Sequence, residues 1–169
     1  MKIAIGADHR GTEVRNHLSD WLKQQGYEVE FRGECNDKAS DYPDAAHLVA
    51  KAVASGEVER GILICGTGIG MSIAANKVHG IRAALVHDEI GADLARRHND
   101  ANILCLSADM LGLRIIDRIV KTWLTTKFEG GRHARRIQKV AAIEEGRDPA
   151  LVNEGELPTP PAEKADVAQ

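Results

Sequence analysis

The sequence predicts an α/β fold: a three-layer α/β/α sandwich built on a five-stranded parallel, Rossmann-like sheet. Three observations carry this. Five short apolar runs, at Lys2–Ala7, Glu28–Arg32, Gly61–Cys65, Ile81–Val86 and Ile103–Leu106, alternate with stretches of helical periodicity. Strand–helix alternation brings right-handed crossovers and a parallel sheet with helices on both faces. The runs ILIC (62–65) and AALV (83–86) are continuous rather than alternating, the pattern of strands covered on both faces. Third, apolar residues make up 43% of the chain and aromatics only 4%, so the core must be aliphatic.

Each element has its own signal. After the first run, Val14, Leu18, Trp21 and Leu22 form one helical stripe, and Gly26 stands where a C-terminal cap belongs. The second run is the thinnest, resting on Val29 and Phe31. Ala46, Val49, Ala50 and Val53 repeat the helical pattern, with Gly56 as the stop. Further helices are expected to begin near Ile69, Glu89 and Leu111, and a last one to run from about Arg132 to Glu145.

With 169 residues the chain suits one domain, residues 1–148, followed by a tail or extended arm, 149–169. Four of the five prolines lie in those last 21 residues, a composition that cannot bury a core. A body of this size buries roughly two-thirds of its unfolded surface and needs no covalent staple. Cys35, Cys65 and Cys105 form no CxxC pair, which excludes a disulfide scaffold and a cysteine zinc site and suits a reducing cytoplasm. The start, MKIAIGADHRG, reaches Asp8 before a long apolar run develops, so neither a signal peptide nor a membrane span is expected there.

Of 22 Lys and Arg and 25 Asp and Glu, one base and four acids lie from Pro149 onward, leaving 21 of each in residues 1–148. A neutral body argues against general nucleic-acid binding, so an anion must be held by a local cluster. His17, His47, His79 and His87 show no HExxH or HxH spacing, and no catalytic metal is expected.

Ligands of an open parallel sheet bind beyond the carboxyl ends of the strands. After the first run comes GADHRGT, a P-loop near miss that lacks the lysine. There Asp8 and His9 either hold hydroxyls and move protons, or Asp8 simply caps the next helix. After the third run comes Cys65-Gly66-Thr67-Gly68-Ile69-Gly70-Met71-Ser72. Its glycines let several N–H groups converge at a helix start, a nest for a phosphate or a developing oxyanion, unless it is an ordinary glycine-rich turn. Met71 stands where a dinucleotide fingerprint needs glycine, although Asp88 lies about where a ribose-binding acid falls. Cys65 enters this electropositive loop from a buried strand, a setting that makes a thiolate available; otherwise it is a small buried hydrophobe, as Cys105 is read to be. His98, after Arg96-Arg97, either ends a helix or serves as general acid or base near neutrality. Arg132 and Arg136, four apart, share a helix face, and cations in a first turn oppose the dipole unless an anion compensates.

The strings GADHRG, DYPD, GILICGTGIGMSIAANK, GIRAAL, RRHNDANILCL and FEGGRHARRI together resemble the ribose-5-phosphate isomerase B family, whose members also act on allose 6-phosphate, galactose 6-phosphate or erythrulose 4-phosphate. The resemblance runs from Met1 to about Asp148. It implies isomerisation of ribose 5-phosphate and ribulose 5-phosphate without cofactor, in a homodimer or a tetramer with active sites between subunits. It further implies that Cys65 moves a proton between C1 and C2, that Thr67 assists proton movement between the oxygens, and that the amides of Gly66, Gly68, Gly70 and Ser72 steady the enediolate. By the same resemblance His98 opens the sugar ring, Asp8 binds or activates a hydroxyl, and Tyr42 and Asn99 contact hydroxyls. His9, Arg132 and Arg136 would hold the phosphate, some of them from the opposite subunit. One departure concerns the substrate: relatives often carry Arg shortly after the fifth strand, where this chain has Ser107-Ala108-Asp109. The rivals are a non-catalytic nucleotide-binding module and a signalling receiver, which would need Asp where Cys65 stands.

Overall fold

The computed structural model describes residues 1–33 and 40–152; Cys35 and residues 153–169 of the Pro-rich stretch lie outside the described residues. The chain divides into two compact units, Met1–Gly130 and Gly131–Gln169.

In the first unit, β1 (Lys2–Ala7) passes through a 3-10 turn at His9–Gly11 into α1 (Thr12–Gln24). There follow β2 (Glu28–Phe31), α2 (Tyr42–Ala54), β3 (Arg60–Cys65), α3 (Ile69–Ala75), β4 (Ala83–Leu85), α4 (Glu89–Arg97), β5 (Ile103–Ser107) and α5 (Leu113–Thr125). The second unit contains α6 (Arg132–Glu144) and a 3-10 turn at Pro149–Leu151.

All five strands are parallel, in the order β2-β1-β3-β5-β4. The chain leaves β1 toward one edge and β3 toward the other, so the order reverses between these two neighbours. The crevice of such a sheet opens at that reversal, between the loops that follow β1 and β3.

The core shows how the strands are read on both faces. Ile3, Ile5, Ile62, Ile64, Leu104 and Leu106 meet Val14, Leu18 and Leu22 of α1 and Ile116, Ile119 and Trp123 of α5. The alternate residues Ala4, Leu63, Cys65, Ile103 and Cys105 meet Ala45, Ala46, Val49 and Ala50 of α2 and Met71 and Ala75 of α3. Alternation of side chains along each strand therefore supplies two separate apolar layers from one continuous apolar run. Truncating one fully buried leucine here, such as Leu18, costs about 2–5 kcal/mol.

The helix ends follow local chemistry. Gly26 (φ +84°) and Gly56 (φ +76°) stand just past α1 and α2, as their positions in the sequence predict. Pro43 falls in the first turn of α2, where a missing N–H breaks no intrahelical bond. One expectation needs correction: β4 is shorter than Ile81–Val86 and its residues are only half-buried. It pairs with β5 alone and is an edge strand, so a continuous apolar run there does not mean cover on both sides. Among the described residues no helix is long and apolar enough to cross a membrane.

Candidate active site

β3 ends at Cys65, and the chain then turns on glycine. Gly68 has φ +76°, and a Cβ there would lie 2.6 Å from Leu85 Cδ1 and 3.0 Å from the Leu106 carbonyl carbon. Only glycine meets both demands. The turn brings the Gly68 N–H back onto the Cys65 sulfur at 3.1 Å, a donor for which a thiolate is the better acceptor. The Cys65 side chain is 5% exposed, at the carboxyl end of the sheet and on its α2/α3 side. Thr67 is exposed, and its Oγ1 accepts from the Ile69 amide at 3.3 Å. Tyr42 lies against Gly70, where a Cβ would come 2.6 Å from the ring. The amides of Gly70 and Met71 fall in the first turn of α3, which offers them no intrahelical acceptor.

Two of the expected amide donors are engaged otherwise. The Gly68 amide serves the sulfur, and the Ser72 amide donates to the Gly68 carbonyl at 3.1 Å as a helical bond. The Ser72 hydroxyl donates to the Ala83 carbonyl at 3.3 Å. Ser72 thus ties α3 to β4, because by its position the helical hydrogen-bond ladder has already begun.

The loop after β1 sits beside this one. The Asp8 amide donates to the Ile64 carbonyl at 3.1 Å. Asp8 Oδ1 accepts from the amides of Arg10 (2.9 Å) and Gly11 (3.2 Å), so the capping reading of Asp8 holds, with the side chain 7% exposed at the crevice. His9 is exposed, its Nδ1 at 3.4 Å from the backbone of Ser40. Arg10 Nε donates to both oxygens of Asp109, at 2.8 and 3.1 Å. Asp109 is itself anchored, its amide donating to the Gly66 carbonyl at 3.1 Å, and Ser107 Oγ donates to the same carbonyl at 2.6 Å. Cys105 is fully enclosed, and burial, with a smaller contribution from Cys65, pushes its thiol far above the ordinary range.

His98 and Asn99 lie elsewhere. They close α4, which returns the chain to the amino end of β5, whereas Cys65 is in register with Ser107 at its carboxyl end. The four steps from Ile103 to Ser107 alone separate the two levels by about 13 Å, at roughly 3.3 Å per residue. One chain therefore does not bring His98 to Cys65. The turn is held by side chains. Arg82 donates to the carbonyls of Asn99 (3.0 Å) and Asp100 (2.9 Å) and to Asp100 Oδ2 (3.1 Å). Arg96, 4% exposed, donates to the Ala101 carbonyl and to Asp100 Oδ1, each at 2.7 Å. Its guanidinium stands 6.0 Å from the Trp123 ring centre. Asp100, at φ +44°, has the one left-handed backbone outside glycine among the described residues, and these two forks compensate that strain. Neighbouring Arg60 is held below the usual guanidinium range, by burial first and then by the Arg96 charge. His98 Nε2 lies 3.7 Å from Glu129, which also receives Arg97 at 3.3 Å.

In the second unit, Arg132 and Arg136 both lie on the exposed side of α6, one turn apart, with no acid in the first turn. The shared face expected from their spacing is present. Sequence reasoning passed over Arg82, Arg96 and Asp100 as a clasp, and Arg10 as a partner of Asp109. The four-residue spacing of Arg96 and Asp100 was a usable signal; the other pairings span too much sequence to leave one.

This arrangement, a cysteine under a glycine-turn amide at the reversal point of a 2-1-3-5-4 sheet, defines an α/β enzyme-type crevice that favours anionic ligands. The chain belongs to the ribose/galactose isomerase family, whose model matches residues 3–140. It is 46% identical over 147 residues to ribose-5-phosphate isomerase B of Escherichia coli, covering 87% of this chain and 99% of that protein. It is 41% identical over 145 residues to D-erythrulose-4-phosphate isomerase of Pectobacterium atrosepticum, covering 85% and 95% respectively. Among solved structures, ribose-5-phosphate isomerase B of Clostridium thermocellum matches with a TM-score of 0.85 at 51% identity, covering 86% of this chain and 99% of that one.

Proposed function

We propose that this chain is a cytoplasmic aldose–ketose isomerase interconverting ribose 5-phosphate and ribulose 5-phosphate through an enediolate. The observation that carries the reading is the Cys65 sulfur under the Gly68 amide, in a loop where the amides of Gly70 and Met71 face no acceptor of their own helix. Isomerisation needs a base for the C2 proton of the open aldose and donors for the oxyanion that forms. Cys65 takes that proton and returns it to C1. The amides of Gly66 and Gly70 receive charge on the oxygen, and Thr67 relays the proton from O2 to O1. Asp8 and Tyr42 hold hydroxyls from the same crevice. None of these steps calls for a metal or nucleotide.

Ring opening needs a separate acid, and His98 is the group that supplies it. Because His98 and Cys65 stand at opposite ends of one sheet, a complete centre takes Cys65 from one subunit and His98, with Asn99, from its partner. This supports a homodimer with its sites at the interface, and a tetramer of such dimers leaves each centre unchanged. His9, Arg132 and Arg136 hold the phosphate, and binding energy at that remote end positions C1 and C2.

Cys65→Ala is expected to lower turnover about 1,000-fold while affinity for inorganic phosphate stays within about twofold. Wild-type turnover by that variant in chelator-treated buffer would remove the thiolate from the reaction. A second reading, a four-carbon substrate, is favoured by the similarity to the erythrulose-4-phosphate enzyme. Steady-state comparison of erythrulose, ribose, allose and galactose phosphates decides it: a more than about tenfold preference in kcat/KM for another sugar replaces ribose, since one pocket methylene is worth about 10–200-fold.

A further inference from the structure

Arg10 has no part in the reaction outlined above, yet it occupies the crevice. It follows His9 on the loop after β1, its side chain is 57% exposed, and its Cδ and Nε lie 3.2 Å from where a Cβ would stand on Gly66, the residue next to Cys65. Asp109 grips it through a single nitrogen: both carboxylate oxygens take Nε, at 2.8 and 3.1 Å. The grip leaves the four Nη hydrogens, the edge of the fork that fits two phosphate oxygens, outside the carboxylate. The backbone that carries Asp109 is pinned, its amide donating to the Gly66 carbonyl at 3.1 Å. A body with balanced charge can hold a dianion only where cations are gathered locally, and a guanidinium whose side-chain freedom is already spent binds at lower entropic cost.

We propose that Arg10 is a further ligand of the substrate phosphate, oriented by Asp109, whose charge also keeps the binding of phosphate from becoming too tight. The proposal rests on the isomerase reading for the identity of the substrate, but the phosphate contact does not. Arg10 supplies two N–H donors to the phosphate while Asp109 sets their direction. Because the pair joins the loop after β1 to the segment after β5, the position of the phosphate relative to Cys65 is fixed by side chains 99 residues apart. That distance selects sugar length.

The test is calorimetric titration of inorganic phosphate into the wild-type protein, Arg10→Gln, Asp109→Asn and the double variant, with steady-state kinetics on ribose 5-phosphate alongside. Arg10→Gln should weaken phosphate about tenfold and raise KM by a similar factor, with kcat within about threefold, as for the loss of one charge-assisted contact. Asp109→Asn should tighten phosphate about threefold, and the double variant should match Arg10→Gln. If Arg10→Gln binds phosphate like the wild type, or if both single variants weaken it alike, the pair is only a brace for the loop and the proposal falls. Should the wild type bind phosphate with these differences yet fail to turn over ribose 5-phosphate, the isomerase reading fails and Arg10 stands as a phosphate ligand.

Discussion

The two ends of the sheet are organised by different means. At the carboxyl end, the loop that follows β3 is shaped by main chain: Gly68 turns with φ +76° and delivers its own amide to Cys65. At the amino end, the turn that carries His98 and Asn99 is shaped by side chains, with Arg82 and Arg96 capturing the carbonyls of Asn99, Asp100 and Ala101 and the carboxylate of Asp100. The first device is local and tolerates no Cβ. The second is distributed, so its parts can fail one at a time. Cys65, the proposed base, stands at the first end and His98, the proposed ring-opening acid, at the second, and this is the most informative difference between them.

The sharpest way to break the comparison is to mix two inactive variants. Cys65→Ala and His98→Gln chains, co-expressed and allowed to pair at random, should regain about a quarter of wild-type activity, because half the dimers are mixed and each has one intact centre. If both groups served one site within one chain, no recovery would occur. Next in size is Gly68→Ala, which should cut turnover about 100-fold, since strain and the contact with Leu85 displace the amide from the sulfur. Gly26→Ala is its control: the same left-handed backbone (φ +84°) with nothing within 4 Å should cost only about 1 kcal/mol of stability in denaturant unfolding and leave turnover unchanged. That control aside, the smallest effect on turnover belongs to Arg82→Ala. It should lower kcat roughly tenfold and stability by about 2 kcal/mol, because Arg96 still holds Asp100. For this variant, solvent deuterium exchange into ribulose 5-phosphate should fall less than net conversion, as only the ring step depends on the turn; equal loss would show that Arg82 merely supports the fold.

How much of this was legible follows the same division. The strands, their parallel pairing and the glycine loop could be read directly, because apolar runs and left-handed turns are properties of neighbouring residues. The 65–72 segment therefore announced its shape. Asp8 was readable as a helix cap or as a hydroxyl-binding group, and the amides at Arg10 and Gly11 show the cap. The engagement of Ser72 was hidden, since it depends on where the first turn of α3 closes. Arg96 with Asp100 left a four-residue spacing, but Arg82 contributes from just before β4 and Arg10 meets Asp109 across β3 from a point 99 residues away in sequence. Such pairings are set by strand order, which periodicity does not encode. The cover of β4 was over-read for the same reason: an apolar run cannot tell whether its strand will stand at an edge.

The enclosure of Cys105 has an analytical consequence. Sulfur reagents react through the anion, and a thiol on β5 sealed under the α2/α3 layer, with ionisation suppressed by burial, does not supply one in the native protein. Alkylation followed by peptide mapping thus has an internal blank: modification at Cys105 marks molecules that have unfolded, so modification at Cys65 with Cys105 untouched is reaction of the folded protein.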